Sequence, residues 1–146
     1  MHSTAKSYFI FVIVSSGLLM ASIDGTIVAI ALPAMLREMN TRIALVPWSL
    51  TSYQLTQTIA LPLVGKLAER WGRKRLFLFA VVLFLVGSIG AGLSPNIYVL
   101  IVFRVLQGIG GGMFFPSAAG VVGDVFKENR QTAVGLFVTI FQLGGI

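Results

Sequence analysis

The chain reads GKLAERWGRKRL at residues 65–76, a short and strongly basic connection between two long apolar segments. Five of these twelve residues are Lys or Arg, and two glycines, Gly65 and Gly72, enclose Glu69 and Arg70. A basic connection between membrane spans lies on the cytoplasmic side of the membrane. Glycine at a helix end also lets a second helix approach closely. The stretch therefore predicts a membrane protein with this connection in the cytoplasm.

The composition supports the same class of protein. The chain is 56% hydrophobic and 11% charged, with a mean hydropathy of +0.90, whereas about a quarter of the residues in a soluble domain are charged. It contains no cysteine and one histidine, His2, so neither a disulfide nor a metal site is indicated. The net charge of +6 comes largely from one connection between spans, so we expect no nucleic-acid partner.

Five apolar segments predict an all-α integral membrane protein. We expect Pro33 to end the first helix, Pro47 and Trp48 to begin the second, and residues 94–96 to form a turn before the fourth. The last segment has about 16 residues, or about 24 Å of helix, which is short for a complete span. We therefore expect residues 1–146 to be the N-terminal part of a larger protein. The predicted helices cover residues 8–32, 47–64, 76–93, 97–122 and an incomplete 131–146.

The basic residues predict the orientation in the membrane. Eight of them precede the first helix, lie between the second and third helices, or lie between the fourth and fifth. Only Arg37 and Arg42 lie on the other side, and Arg104 falls within a span. The excess of Lys and Arg places the N-terminus in the cytoplasm.

Asp24 lies within the first predicted span, in the segment IDGTIVAIALP at residues 23–33. An acid at such a depth costs about 2.5–3.5 kcal/mol on insertion scales, so it faces a bundle interior or a cavity. Carboxyl groups inside membranes form proton relays in transporters, which makes Asp24 a candidate for binding a proton or a cationic substrate. The alternative is a fixed ion pair or a helix-packing hydrogen bond.

Arg104 lies within the fourth predicted span, in the segment LIVFRVLQGIGGG at residues 100–112. Arginine stays charged, so it needs a buried acceptor or water. Gln107, Gly108 and Gly111 follow on the same helical face and make that face polar and small. The face suits a cavity or a close neighbouring helix. The alternative is a structural arginine bound to carbonyl groups at a helix end.

The second helix carries a stripe of polar residues, which includes Tyr53 and Gln57. We treat these two residues as candidates to line a translocation path, with interhelical hydrogen bonding as the equal alternative. The fourth helix carries Phe114 and Phe115, for which ordinary packing is the favoured interpretation.

The basic connection also has a mechanical interpretation. Glu69 and Arg73 are four residues apart, so they can pair if the helix continues through them. Asp124, at the inner end of the fourth helix, can reach the same region if the helices pack side by side. The alternative is a solvated basic loop that only determines topology.

Three segments resemble motifs of the major facilitator superfamily. Residues 65–76 are similar to its pattern G-x-L-a-D-r-x-G-r-k-x-x-l between helices two and three, with Glu69 in place of Asp. Residues 100–112 resemble its helix-four pattern l-x-x-x-R-x-x-q-G-x-g-a-a. Residues 23–33 resemble the pattern L-D-x-T-i-V-n-v-A-L-P of the EmrB/QacA-type drug:proton antiporters with fourteen spans, with Ala29 in place of Asn.

The resemblance implies the N-terminal part of a transporter bundle that exports drugs or other small molecules by alternating access. It implies coupling to the proton gradient without a cofactor, and a place in the plasma (inner) membrane. The implied partners are the lipid bilayer, a hydrophobic or cationic substrate, and the C-terminal spans of the same protein. Residues 143–146 resemble the opening of the antiporter signature, whose decisive part lies beyond them.

The resemblance also implies roles for individual residues. It assigns proton or substrate coupling to Asp24, Arg104 and Gln107. It makes the connection a conformational latch that holds the cytoplasmic side closed. The latch residues are Gly65 for a close helix contact, Gly72 for the turn, Glu69, Arg73 and Asp124 for a charge relay, and Arg70 and Lys74 as its further basic members.

Three alternatives to drug export remain at the level of sequence. They are a uniporter or symporter for sugars or organic anions, a membrane scaffold that transports nothing, and a truncated gene product without a function of its own. Enzymatic function is not indicated, because the chain has neither a phosphate-binding G-x-x-x-x-G-K-[ST] loop nor a Ser–His–acid set.

Overall fold

The computed structural model describes the backbone of residues 2–144 and the side chains of residues 7–140 and 142. Between residues 2 and 144 the chain forms helices and short turns and contains no strand. The predicted all-α class is confirmed. The five helices are α1 (His2–Glu38), α2 (Trp48–Trp71), α3 (Arg73–Gly92), α4 (Ile97–Val125) and α5 (Arg130–Gly144).

Three helices are long and apolar enough to cross a bilayer by length and composition. They are the Ser7–Glu38 part of α1, α3 and α4. α2 has a sufficient length of 24 residues, but its many Ser, Thr and Gln residues make it less apolar than the others. The 15 described residues of α5 are fewer than the roughly 20 that a span needs. The chain is a multi-pass membrane protein. Apolarity alone does not identify α2 as a span, and length alone does not identify α5 as one.

α1 does not end at Pro33, where the sequence analysis placed its end. The helix continues through this proline to Glu38, and the amide of Met39 still donates to the carbonyl of Met35 at 3.0 Å. Proline lacks a backbone donor and its ring crowds the preceding turn, but the hydrogen-bond ladder resumes after it. Membrane helices tolerate proline because neighbouring groups satisfy the freed backbone carbonyl groups.

The basic stretch at residues 65–76 is almost entirely helical and is not the loop that the sequence analysis expected. α2 continues past Val64 to Trp71, and α3 begins directly at Arg73. Only Gly72 interrupts the two helices, with a φ of +83° that favours glycine. The loss of apolarity after Val64 marks the end of the membrane span, not the end of the helix. Lys, Leu, Ala, Glu and Arg are strong helix formers, and they extend α2 beyond the span.

α4 is the central helix of the bundle and packs closely against both α2 and α3. A Cβ atom added at Gly108 would lie 2.6 Å from the carbonyl oxygen of Tyr53 in α2. One added at Gly110 would lie 2.7 Å from the backbone nitrogen of Phe84 in α3. Small residues at such positions let membrane helices approach until their backbones touch. These contacts fix the register of α2 and α3 on α4.

The hydrophobic core lies in the half of the bundle next to the Gly72 connection. Its buried residues come from all five helices. α1 contributes little of its surface to this core, and many of its apolar side chains, such as Phe9 and Ile30, are exposed on the outside of the bundle. The buried members of the core are Val14, Leu18, Ala60, Val64, Leu76, Phe77, Ala80, Met113, Phe114, Ala118, Val122, Ala133 and Phe137.

Candidate functional site

An ion pair inside the membrane-spanning region joins α1 to α4. Nη1 of Arg104 donates to Oδ2 of Asp24 at 2.6 Å. The Arg104 side chain is 1% exposed and that of Asp24 is 19% exposed. The two residues are 80 positions apart in sequence, so only the packing of α1 on α4 brings them together.

Gln107 completes a closed ring of hydrogen bonds with this pair. Its Oε1 accepts a bond from Arg104 Nη1 at 2.7 Å, and its Nε2 donates to Asp24 Oδ1 at 2.9 Å. Both oxygens of the Asp24 carboxylate therefore have a donor on α4. Gln107 lies one helical turn after Arg104, so the sequence spacing places both donors on one face of α4.

α2 supports the same guanidinium from its other side. Nε of Arg104 donates to the backbone carbonyl of Ser49 at 3.1 Å. The Tyr53 ring lies under the guanidinium, 4.4 Å from its centroid to Cζ, which adds a cation–π attraction. We call Asp24, Arg104, Gln107, Ser49 and Tyr53 the polar cluster.

Two buried polar atoms near this cluster have no hydrogen-bond partner within the described part of the chain. They are Nη2 of Arg104 and the hydroxyl of Ser52. A buried donor without a partner costs free energy. Nη2 of the guanidinium has two N–H donors left for a further acceptor.

The stability of the cluster depends on the charge of one carboxylate. Protonation of Asp24 would remove the charge that balances Arg104, and arginine cannot lose its own proton. Loss of one partner of a buried ion pair costs about 3–5 kcal/mol. α1 would then lose its charged attachment to α4.

A second ion pair lies at the end of the bundle that carries the Gly72 connection. Nη1 of Arg73 donates to Oδ1 of Asp124 at 2.8 Å, and the two side chains are 44% and 57% exposed. This pair ties the start of α3 to the end of α4. The Arg73 side chain lies across α4 at Gly120, where an added Cβ would be 2.8 Å from Arg73 Cδ.

The other residues of the predicted latch do not join this ion pair. Among the described residues, Glu69 forms no salt bridge with Arg73. Both side chains line an open groove of about 1050 Å³, which Arg130 also lines. Gly65 lines this groove too, and no atom lies within 4 Å of a Cβ added there. None of the helices described here makes a close contact at Gly65, so the predicted close helix contact stays a prediction.

Arg70 and Lys74 are exposed beside the connection. Gly72 provides the turn, as its residue type predicts.

Tyr53 and Gln57, the two candidates for path lining, share a cavity of about 160 Å³ between α1, α2 and α4. The sequence analysis did not predict that Tyr53 also contacts Arg104. It also did not predict that a backbone carbonyl, that of Ser49, holds the guanidinium. The small face at Gly108 and Gly111 signalled a closely packed neighbour, but not which helix it was.

The sequence profile of the Major Facilitator Superfamily matches residues 14–146. The chain belongs to this superfamily.

Its relatives include transporters whose names refer to drug resistance and export. It is 35% identical over 143 residues to Multidrug resistance protein 3 of Bacillus subtilis, covering 97% of this chain and 28% of that protein. It is 38% identical over 125 residues to the Tetracenomycin C resistance and export protein of Streptomyces glaucescens, covering 85% and 23%. It is 36% identical over 127 residues to the multidrug transporter protein MdtP of Bacillus subtilis, covering 86% and 23%. The chain thus spans about a quarter of the length of these relatives.

Proposed function

We propose that the chain is part of a transporter that exports hydrophobic or cationic small molecules in exchange for protons, by alternating access between two helix bundles. The carrying observation is the ion pair of Asp24 and Arg104 with its ring closed by Gln107. Family membership supports transport in general, and the names of the relatives support drugs as the substrate class.

Energetics support coupling through Asp24. Separation of the buried pair costs about 3–5 kcal/mol. A membrane potential of 100 mV and a gradient of one pH unit together supply about 3.7 kcal/mol per proton. The two quantities are of the same order, so the proton gradient supplies free energy on the scale of the contact between α1 and α4. A neutral cluster without an ionisable group would have no such link to the gradient.

The pair of Arg73 and Asp124 acts in this proposal as a latch on the cytoplasmic side. An exposed ion pair contributes about 0.2–1 kcal/mol, which corresponds to a bias of about 1.4- to 5-fold between two conformations. That is too small to hold one state permanently and large enough to change the rate of a transport cycle. Glu69 is available to the relay when another state brings it to Arg73.

The positive-inside rule supports a cytoplasmic N-terminus in the plasma membrane. The Gly72 connection and the turn after α4 lie at the same end of the bundle, because Arg73 and Asp124 touch. Both segments carry an excess of basic residues, which favours the cytoplasmic side.

The test begins with the coding sequence that follows the Ile146 codon. The proposal requires an open frame with further apolar segments of about 20 residues each. The full-length protein is then assayed for substrate efflux driven by an imposed pH gradient. Asp24→Asn should abolish gradient-driven efflux, and Asp24→Glu, which keeps the carboxyl group, should retain part of it. Gradient-driven efflux by Asp24→Asn at the wild-type rate would overturn the proposal.

A further inference from the structure

A small cavity lies beside the polar cluster, at the junction of α1, α2 and α4. Its volume is about 160 Å³. Ala21 and Ser22 border it from α1, one helical turn before Asp24, and Tyr53 is the one residue that belongs to both the cavity and the polar cluster. The cavity is lined by Leu18, Ala21, Ser22, Tyr53, Gln57, Gly111, Phe114 and Phe115.

The lining contains aromatic rings and three polar side chains, those of Ser22, Tyr53 and Gln57. Three of the side chains are aromatic rings, and Gln57 offers an amide with both donors and an acceptor. The Tyr53 hydroxyl lies at the wall formed by Gly111, where an added Cβ would be 2.7 Å from the phenolic oxygen. Apolar rings with a few placed polar groups are the usual lining of a small-molecule site.

The volume fits one aromatic ring. A cavity of about 150 Å³ lined by apolar side chains binds benzene, so 160 Å³ is enough for one six-membered ring. Aromatic pairs with centroids about 4.5–7 Å apart gain about 0.5–1.5 kcal/mol beyond the area they bury. A flat ring in this cavity can form such pairs with several walls.

The charges favour a neutral ring over a cation. Among the described residues that line the cavity, none is charged at neutral pH. The nearby carboxylate of Asp24 already has donors on both oxygens, from Arg104 and Gln107. A cation in the cavity would therefore meet no free negative charge.

We propose that this cavity is a subsite that holds one neutral aromatic ring of the exported substrate, with a hydrogen-bonding substituent directed to Gln57 or the Tyr53 hydroxyl. The inference rests on the proposed export function and names a feature of its substrates. Because Tyr53 also contacts Arg104, a ring in the subsite touches a member of the proton-responsive cluster. Substrate in the cavity and a proton on Asp24 would then both affect the Tyr53 side chain, the first directly and the second through Arg104.

The experiment uses a thiol placed in the cavity. The chain contains no cysteine, so Ala21→Cys in the full-length protein, with any cysteine elsewhere replaced by serine, places a single thiol beside the proposed ring. Its rate of modification by methyl methanethiosulfonate is measured in detergent without an ion gradient. Ala44→Cys, in the exposed turn between α1 and α2, is the matched control.

The proposal predicts that 4-methylphenol slows modification of Ala21→Cys several-fold and leaves that of Ala44→Cys unchanged. The saturated analogue 4-methylcyclohexanol and tetramethylammonium should protect far less. Equal protection by 4-methylcyclohexanol would show a merely apolar hole, and stronger protection by tetramethylammonium would show a cation site. Absence of protection, or of any reaction at the Ala21→Cys thiol, would also overturn the proposal.

A second pair of variants tests the ring contact within the Ala21→Cys background. Phe115→Leu should reduce protection by 4-methylphenol, whereas Phe79→Leu, on the exposed face of α3, should not. Equal protection in both would contradict a ring subsite. The readout does not depend on transport. If 4-methylphenol protects the Ala21→Cys thiol but Asp24→Asn exports at the wild-type rate, the subsite stands and the proton role of Asp24 is refuted. If the thiol is not protected but Asp24→Asn abolishes efflux, only the subsite is refuted.

Discussion

The ion pair of Asp24 and Arg104 predicts a large energetic coupling between two residues that lie far apart in sequence. Asp24→Asn leaves a 1%-exposed guanidinium without its counter-charge. Loss of one partner of a buried pair costs about 3–5 kcal/mol. We expect about 3 kcal/mol, because the 19% exposure of Asp24 admits some solvent to the contact.

The reciprocal change is expected to cost less. Arg104→Met leaves Asp24 partly exposed and still bonded by Gln107, so we expect about 2 kcal/mol. The double variant removes both charges and should cost less than the sum of the single changes, because an apolar replacement of a whole buried pair is often nearly neutral. The expected interaction free energy between the two positions is about 3 kcal/mol, at the upper end of the usual range for contacting residues.

The assay is reversible unfolding of the full-length protein in mixed detergent micelles at neutral pH, for the wild type, both single variants and the double variant. Asp124→Asn combined with Arg104→Met is the control, because Asp124 pairs with Arg73 at the other end of α4. That combination should be additive within about 0.5 kcal/mol. A coupling of Asp24 and Arg104 below about 0.5 kcal/mol would refute the reasoning, since directly bonded charges in a buried site must couple more strongly.

Three further predictions follow from single contacts. Arg73→Ala should slow efflux by the full-length protein without lowering its abundance in the membrane, whereas Lys127→Ala, at an exposed residue of the turn after α4, should not; equal rates would exclude the latch. Gly108→Ala should destabilise the protein by about 1–3 kcal/mol through overpacking, because the new Cβ would lie 2.6 Å from a backbone oxygen. Gly92→Ala, where no atom lies within 4 Å, should change the unfolding free energy by less than about 0.5 kcal/mol. Asn96→Ala removes the cap on Tyr98 and Val99 at the start of α4 and should cost about 1 kcal/mol in the same assay, with efflux unchanged.

Membrane insertion and overall class were predictable from the sequence, because apolarity over a long segment reports directly on the bilayer. Helix ends were less so. α1 continues beyond Pro33 and α2 continues beyond Val64. A helix needs backbone hydrogen bonds and good helix formers, and both are available outside the hydrocarbon core of the bilayer as well as within it. The polar α2 shows the opposite effect: neighbouring helices bury its Ser49 and Ser52, so packing compensates for low apolarity.

For the candidate site, the sequence identified individual residues but not their contacts. Asp24 and Arg104 stood out because a charge is rare in a membrane span, and the sequence pointed to both residues individually. Their contact depends on the close packing of α1 on α4, which no local pattern encodes. Glu69 and Arg73 show that spacing alone is insufficient. The two are four residues apart, but Gly72 breaks the helix between them, and Arg73 turns to Asp124 instead.

The central claim is that Asp24 exchanges a proton in step with substrate. It is tested most directly in proteoliposomes that contain the full-length protein, where a trapped pH indicator follows the protons that cross the membrane while substrate is transported. The account predicts proton movement opposite to that of substrate with the wild type and none with Asp24→Asn at the same amount of protein. Equal proton movement with both proteins would contradict it.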